Sequence, residues 1–445
     1  MAHYFIFPES DTTIYSHPDR SKMNAGYDEI LELVKEAGSS DAYNHPSRIL
    51  IKFKNQDIKD ALDTVGHSYF QNNVKDDPTT GLFNKNLATS SVNLQLTTAD
   101  TKNLVTTHVL NAYAVSQSWV EGTGKFLNLP TGSNGVSWEF RDDSTTATKW
   151  VTDGCVDCFG HSTVTTGVHG GTGSIDSSVV VVQEDGSTLP STDQSASLIT
   201  PGGGTWYTGS KFYATQQFLV GDSLDTDFQV KEIINFYSRS FYQNAGYINA
   251  AEDIEFEKNL TGIPNYGFLI KAVDNVEENY SSSFGEIQYF SSNTHTIYPP
   301  KLVFKWDDQI YNDLVYSDLA KSGSLNVSLY RNQKEYNQND IATFRIHVRE
   351  KYPTRDFSST YQTSYFLKTN YFTKTSYYSI RDAHSEREII PFDDYTKISA
   401  DDEGMYFKIY MKGLQPERYY RLLFKHVHND GTTIYDNDYY FKVVR

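Results

Sequence analysis

Four residues combine the types and spacing that metal chemistry requires: Cys155, Cys158, His161 and His169. A Cys-x-x-Cys-x-x-His run can close on one ion, and zinc accepts thiolate and imidazole in a tetrahedron. A Gly-rich segment too poor in apolar residues to build a core would gain order from such a clip. The interval from His161 to His169 is not a standard finger spacing, so the alternative is two free thiols and two exposed histidines in a loop. Carboxylates cluster at Asp142 and Asp143, at Asp222, Asp225 and Asp227, and at Asp401-Asp402-Glu403. Such pairs can serve glycoside hydrolysis, and oxygens from the same loops can hold a structural calcium. Asp in polar turns more often caps backbone amides, and we expect no catalytic group. The sequence contains no phosphate loop, dinucleotide fingerprint or nucleophile elbow.

Aromatic rings offer a different chemistry, stacking on the apolar faces of sugars. Trp119 and Trp138 fall in strand-like runs, where core packing is the expected fate. Trp150 and Trp206 fall in segment 141–210, where composition shifts to Gly, Ser, Thr and Asp. An exposed aromatic there needs a partner, so these two are the candidate glycan-binding residues.

The elements that must position these groups read as β-structure. The chain has 445 residues, too many for one ordinary core. Its 33 Tyr and 26 Phe, among many Ser, Thr and Asn, favour strands. A net charge of −17 repels phosphate backbones, which excludes nucleic acid as the main partner. No stretch is apolar and long enough to suggest membrane insertion, and the opening residues do not resemble a secretory signal. Two cysteines cannot build a disulfide framework.

Strands are expected near 12–15, 47–53, 92–96, 109–115, 178–183 and 228–230, with helices near 58–65 and 231–241. Segment 29–34 is read as a strand although its Glu, Leu and Lys favour a helix. A turn is expected at Asn24-Ala25-Gly26. The runs 265–271, 285–292 and 301–306 read as three strands forming the closing edge of a sandwich, with Leu302, Phe304 and Trp306 on one side. An acidic linker at 307–318 then leads to a second module at 319–445. There Leu325, Val327 and Leu329 alternate, as do Ala342, Phe344, Ile346 and Val348, then Met405 to Met411, then Tyr439, Phe441 and Val443. Leu414, Pro416 and Tyr420 resemble the fibronectin-type tyrosine corner, which implies a buried Tyr420 whose hydroxyl bonds the upstream backbone.

The first two thirds resemble the DNRLRE domain, a carbohydrate-module-like sandwich. The pieces are Asp11-Thr12-Thr13-Ile14, the Asn24/Gly26 turn, the run 47–53, Trp119-Val120-Glu121-Gly122, Gly135-Val136-Ser137-Trp138, Pro201-Gly202-Gly203-Gly204, Asn265 to Leu269, and Pro299-Pro300-Lys301-Leu302. The resemblance implies an all-β chain: a jelly-roll-like antiparallel sandwich at 1–306, then a smaller immunoglobulin- or fibronectin-like sandwich at 319–445. Together with the missing export signal it implies a non-enzymatic bacteriophage virion component of a tail, neck, baseplate or fibre appendage. Such a protein is made in the host cytoplasm and contacts other virion proteins, copies of itself and a host-surface glycan. The rival expectation is a surface lectin outside any particle, and a glycan hydrolase is a distant third.

Overall fold

Burial alternates along strands such as 30–37, 286–290, 341–350 and 404–410, and is continuous along others such as 2–6, 44–52 and 268–272, which are covered on both faces. The computed structural model describes residues 2–37, 44–66, 90–125, 134–150, 202–207, 210–219, 221–244, 263–277, 283–312, 324–330, 332–352 and 370–445. The fold is all-β, built of sandwiched and almost wholly antiparallel sheets.

The first sandwich opposes a small sheet to a large one. In chain order its strands are β1 (Ala2–Ile6), β2 (Ser10–Tyr15), β3 (Ile30–Ala37), β4 (Asn44–Lys52), β5 (Ser91–Gln95), β6 (Thr98–Lys102) and β7 (Thr107–Ala114). There follow the short hairpin β8 (Phe140–Asp142) and β9 (Thr148–Lys149), then β10 (Tyr213–Leu219), β11 (Phe228–Gln229), β12 (Phe268–Ala272), β13 (Glu286–Phe290) and β14 (Lys301–Trp306). The small sheet runs β1-β14-β5-β11, and the large one β10-β7-β12-β4-β3-β13-β6 with β2 also paired to β4. Tyr4, Leu94 and Phe304 from the small sheet meet Ile49, Ile51, Ala112 and Phe268 from the large one in a single core. Helices α1 (Asn55–Gly66) and α2 (Lys231–Asn244) add to it. On α1 the buried residues are Ile58, Ala61, Leu62 and Val65, the spacing of one helical face.

Segment 29–34 is strand from Ile30 on, within β3, because Leu31 and Leu33 alternate into the core and outweigh local helix propensity. The reading of 265–306 as a closing edge is corrected. β12 lies between β7 and β4, β13 between β3 and β6, and β14 between β1 and β5, so none of the three pairs with another. Alternation tells which face a residue occupies but not which strand lies beside it.

The second sandwich sets a four-stranded sheet against a five-stranded one. Its strands are β15 (Leu325–Tyr330), β16 (Glu335–Asn337), β17 (Ile341–Glu350), β18 (Tyr377–Asp382), β19 (Glu388–Ile390), β20 (Ser399–Asp401), β21 (Gly404–Tyr410), β22 (Tyr419–His428) and β23 (Gly431–Val444). The sheets run β15-β17-β21-β20 and β16-β23-β22-β18-β19. At the centre Phe344 and Tyr378 stack on Phe407, and Phe441 packs tilted against Phe344. Tyr420 is buried and its hydroxyl donates to the Gln415 carbonyl at 3.0 Å, closing the expected corner.

β1 and β14 form a wall with two buried faces. Tyr4, Leu302, Phe304 and Trp306 face the first core, while Phe5 and Val303 belong to the second. The side chain of Phe5 lies directly against Gly413, where a Cβ would come within 2.8 Å of it. Around this apolar contact, Lys412 reaches Asp57 and Asp60 of α1 at 3.2 Å each, and His3 meets Asp393 at 3.1 Å. The described part of the expected linker is also bonded. Asn312 donates to the Ala400 carbonyl, and the Ala400 amide to that of Ile310, which lays 310–312 along β20.

Candidate functional site

The structure gathers the four tryptophans singled out for chemistry into one buried cluster and ties the described carboxylates into separate turns. Cys155, Cys158, His161 and His169 lie outside the described residues, as do 178–183. Among the described residues no group of three or more His, Cys, Asp or Glu converges as a metal site. Asp142 accepts from the Ser144 amide and hydroxyl, Asp222 from the Leu219 amide and Asp225 from the Thr98 amide. Asp227 accepts from Gln95, and Asp401 makes a two-pronged pair with Arg345 at 2.9 Å. These carboxylates hold turns and strand ends.

The expectation of exposed rings at Trp150 and Trp206 is corrected. Both are buried in one cluster with Trp119, Trp138, Ile14 and Leu269. The Trp150 indole donates to the Ser137 carbonyl at 3.0 Å. Trp206 packs against Tyr113 and beneath the cations of Arg48 and Lys271, at 5.2 and 5.0 Å from its ring. An aromatic in a polar stretch need not be exposed when the rest of the chain supplies its pocket.

That cluster surrounds an ionic centre. Arg48 comes from β4 and Lys271 from β12; α3 (Asp274–Glu277) carries Glu277 between them. The Arg48 guanidinium donates to both Glu277 oxygens, at 2.7 and 3.0 Å, and to the Gly203 carbonyl at 2.6 Å. Lys271 donates to the same carboxylate, and all three side chains are 2–3% exposed. Trp138 covers the guanidinium at 4.7 Å. Burial pushes the Glu277 carboxyl up, but Arg48 and Lys271 outweigh it and hold it down at about 2. Gly203 has φ +86°, and a Cβ there would strike Arg48 and Trp138. In the sequence Arg48 is one of two cations, with Lys52, in the otherwise mostly apolar run 47–53.

A second knot joins other motif pieces. The Asn24 amide donates to the Glu121 and Val136 carbonyls at 2.5 and 2.7 Å and accepts from the Gly26 and Gly124 amides. Beside it the Asp11 amide donates to Glu121 at 2.9 Å, and the Asp11 carboxylate accepts from the Ser292 amide and hydroxyl. Burial pushes both Asp11 and Glu121 up to about 7. These contacts are internal and present no open site.

The surface best suited to a partner is the outer face of the five-stranded sheet. Tyr419-Tyr420 and Tyr439-Tyr440 are adjacent pairs, and a strand turns successive side chains to opposite faces. Tyr420 therefore goes inward, while Tyr419 and Tyr440 face solvent, 58% and 40% exposed. Across the strands Tyr419 lies opposite Lys442, Tyr440 opposite Arg421, and Ile434 and Tyr377 opposite Lys425. Each cation covers a ring: Lys442 over Tyr419 at 5.9 Å, Arg421 over Tyr440 at 5.8 Å and Lys425 over Tyr377 at 5.1 Å. Arg421 also pairs with Asp436 and Glu386 at 2.5 and 2.6 Å. The result is a face of rings already held in place by their neighbours. No family model and no curated protein matches the chain.

Proposed function

We propose that this chain is a non-enzymatic structural component of a bacteriophage virion, in a tail, neck, baseplate or fibre appendage. It meets neighbouring subunits through the outer face of its five-stranded sheet. The observation that carries the interface is the set of exposed Tyr419, Tyr440 and Ile434, interleaved with Arg421, Lys425 and Lys442. Tyr and Arg are enriched in interface cores, and rings fixed by cross-strand neighbours lose little freedom on binding. The locking of both sandwiches on β1 and β14 supports a part that transmits position. The assignment to a virion rests on the resemblance to the DNRLRE domain.

The test is incorporation. A Tyr419→Ser/Tyr440→Ser variant should fold like the parent, because both rings lie on the outer face of the sheet and outside the core, yet fail to copurify with particles made in its presence. Copurification at parental yield would remove this face from the assembly. The second reading, glycan contact at the host surface, now rests on the same tyrosines as stacking platforms. Glycan-array binding lost in that variant, with particle incorporation kept, would favour it.

A further inference from the structure

The two sandwiches line a crevice of about 30 Å³ where β1 and the start of β14 approach β18, β19 and the segment leading into β22. Its walls include Phe7, Ile297 and Ile389, and three charged residues line it: Lys301, Arg418 and Asp382. Asp382 is fully engaged. One oxygen accepts from Arg418 at 3.0 and 2.8 Å, and the other from the His384 and Ser385 amides and the Ser385 hydroxyl. Lys301 is not engaged. Its ammonium lies 4.8 Å from the Phe5 ring and makes no hydrogen bond or ion pair with any described residue. The other charges facing it are Arg387 and Lys305, which repel it, and Asp227 and Asp225, which attract it from beyond ion-pair distance. Asp225 is shared with Arg387 at 3.7 Å, and Lys305 leans to Asp393 at 3.9 Å. With the Arg418–Asp382 pair neutral, the crevice carries one uncompensated positive charge.

We propose that this crevice binds a carboxylate, which pairs with Lys301 while its apolar stem lies against Phe7, Ile297 and Ile389. A single unpaired charge matches a monoanion, the apolar lining disfavours a strongly hydrated dianion, and the volume admits a carboxylate head. Burial first, then Arg387 and Lys305, lowers the Lys301 ammonium to about 8. A bound anion is therefore favoured while the lysine is charged, and affinity should fall about tenfold between pH 7 and pH 9 as the charged fraction falls.

The test is titration of the full chain with acetate, and separately with an N-acetylated tripeptide bearing a free C-terminus, against matched chloride. Binding can be followed by calorimetry and by protection against thermal unfolding. Wild type should bind at pH 7, with at least a tenfold loss in Lys301→Met and a similar loss at pH 9. Lys301→Met should itself fold, because Lys301 is half-buried and an apolar chain of similar length replaces a charge that has no partner among the described residues. Lys301→Arg should retain binding. Tighter binding of the peptide than of acetate would name a polypeptide terminus as the source, and the reverse a free acid. Equal acetate binding by wild type and Lys301→Met, or chloride binding as well as acetate, would overturn the proposal.

Discussion

Replacing Glu277 by Gln removes the only negative charge in the Arg48–Glu277–Lys271 centre while keeping its shape. In the fold this carboxyl sits at about 2 against 4.5 in the open chain. At about 1.4 kcal/mol per tenfold preference, that difference corresponds to roughly 3 kcal/mol favouring the ionised form. The folded value is depressed, so the contribution is present above 4.5 and is lost as pH falls from 4.5 through 2. In Glu277→Gln two cations remain buried with no counter-charge, which costs about 3–5 kcal/mol. Urea unfolding of both proteins at pH 7 should show that gap, and it should narrow as pH falls from 4.5 towards 2. Adding Arg48→Met to the variant should cost less than Arg48→Met alone, since one of the two cations is then removed. Replacing all three by Met, Met and Leu should restore stability to about the parental level. A Glu277→Gln variant within about 1 kcal/mol of wild type at pH 7 would refute the reasoning, because the carboxylate would not be what satisfies the pair.

Three further outcomes are expected. Burial raises Asp11 from 3.8 and Glu121 from 4.5, each to about 7. Their contribution is full below the unfolded values and is lost as pH rises to 7, so Asp11→Asn should be more stable than wild type at pH 8 and lose that advantage at pH 4, by thermal unfolding. Tyr420→Phe deletes the hydroxyl bond to Gln415 and should cost about 1 kcal/mol in denaturant titration without changing the strand signature in circular dichroism. Phe5→Ala opens a cavity where the first sandwich enters the second core and should cost about 3–5 kcal/mol. Differential scanning calorimetry of that variant should show the second sandwich melting at a lower temperature, and an unchanged second transition would argue against the shared wall.

The sequence by itself determined the class of fold and much of the strand plan. Period-two burial at Leu31 and Leu33, and at Phe344, Ile346 and Val348, is a local property, set by the alternation of side chains along one strand. The tyrosine corner was equally legible, because Leu414, Pro416 and Tyr420 lie within one short segment that makes its own hydrogen bond. Tertiary structure alone decided what depends on distant segments meeting. β1 carries Tyr4 into one core and Phe5 into the other, so it has no exposed face to betray it as a strand. The strands of 265–306 parted to three different places because pairing is chosen by both faces of both partners. Trp150 and Trp206 sank into the interior because the pocket that takes them is assembled from β2, β4, β7, β12 and the Ser137–Trp138 turn. Arg48, Lys271 and Glu277 are unremarkable at their own positions. Their charge becomes a feature only when β4, β12 and α3 bring them together out of water, where a carboxylate between two cations outweighs the cost of burial.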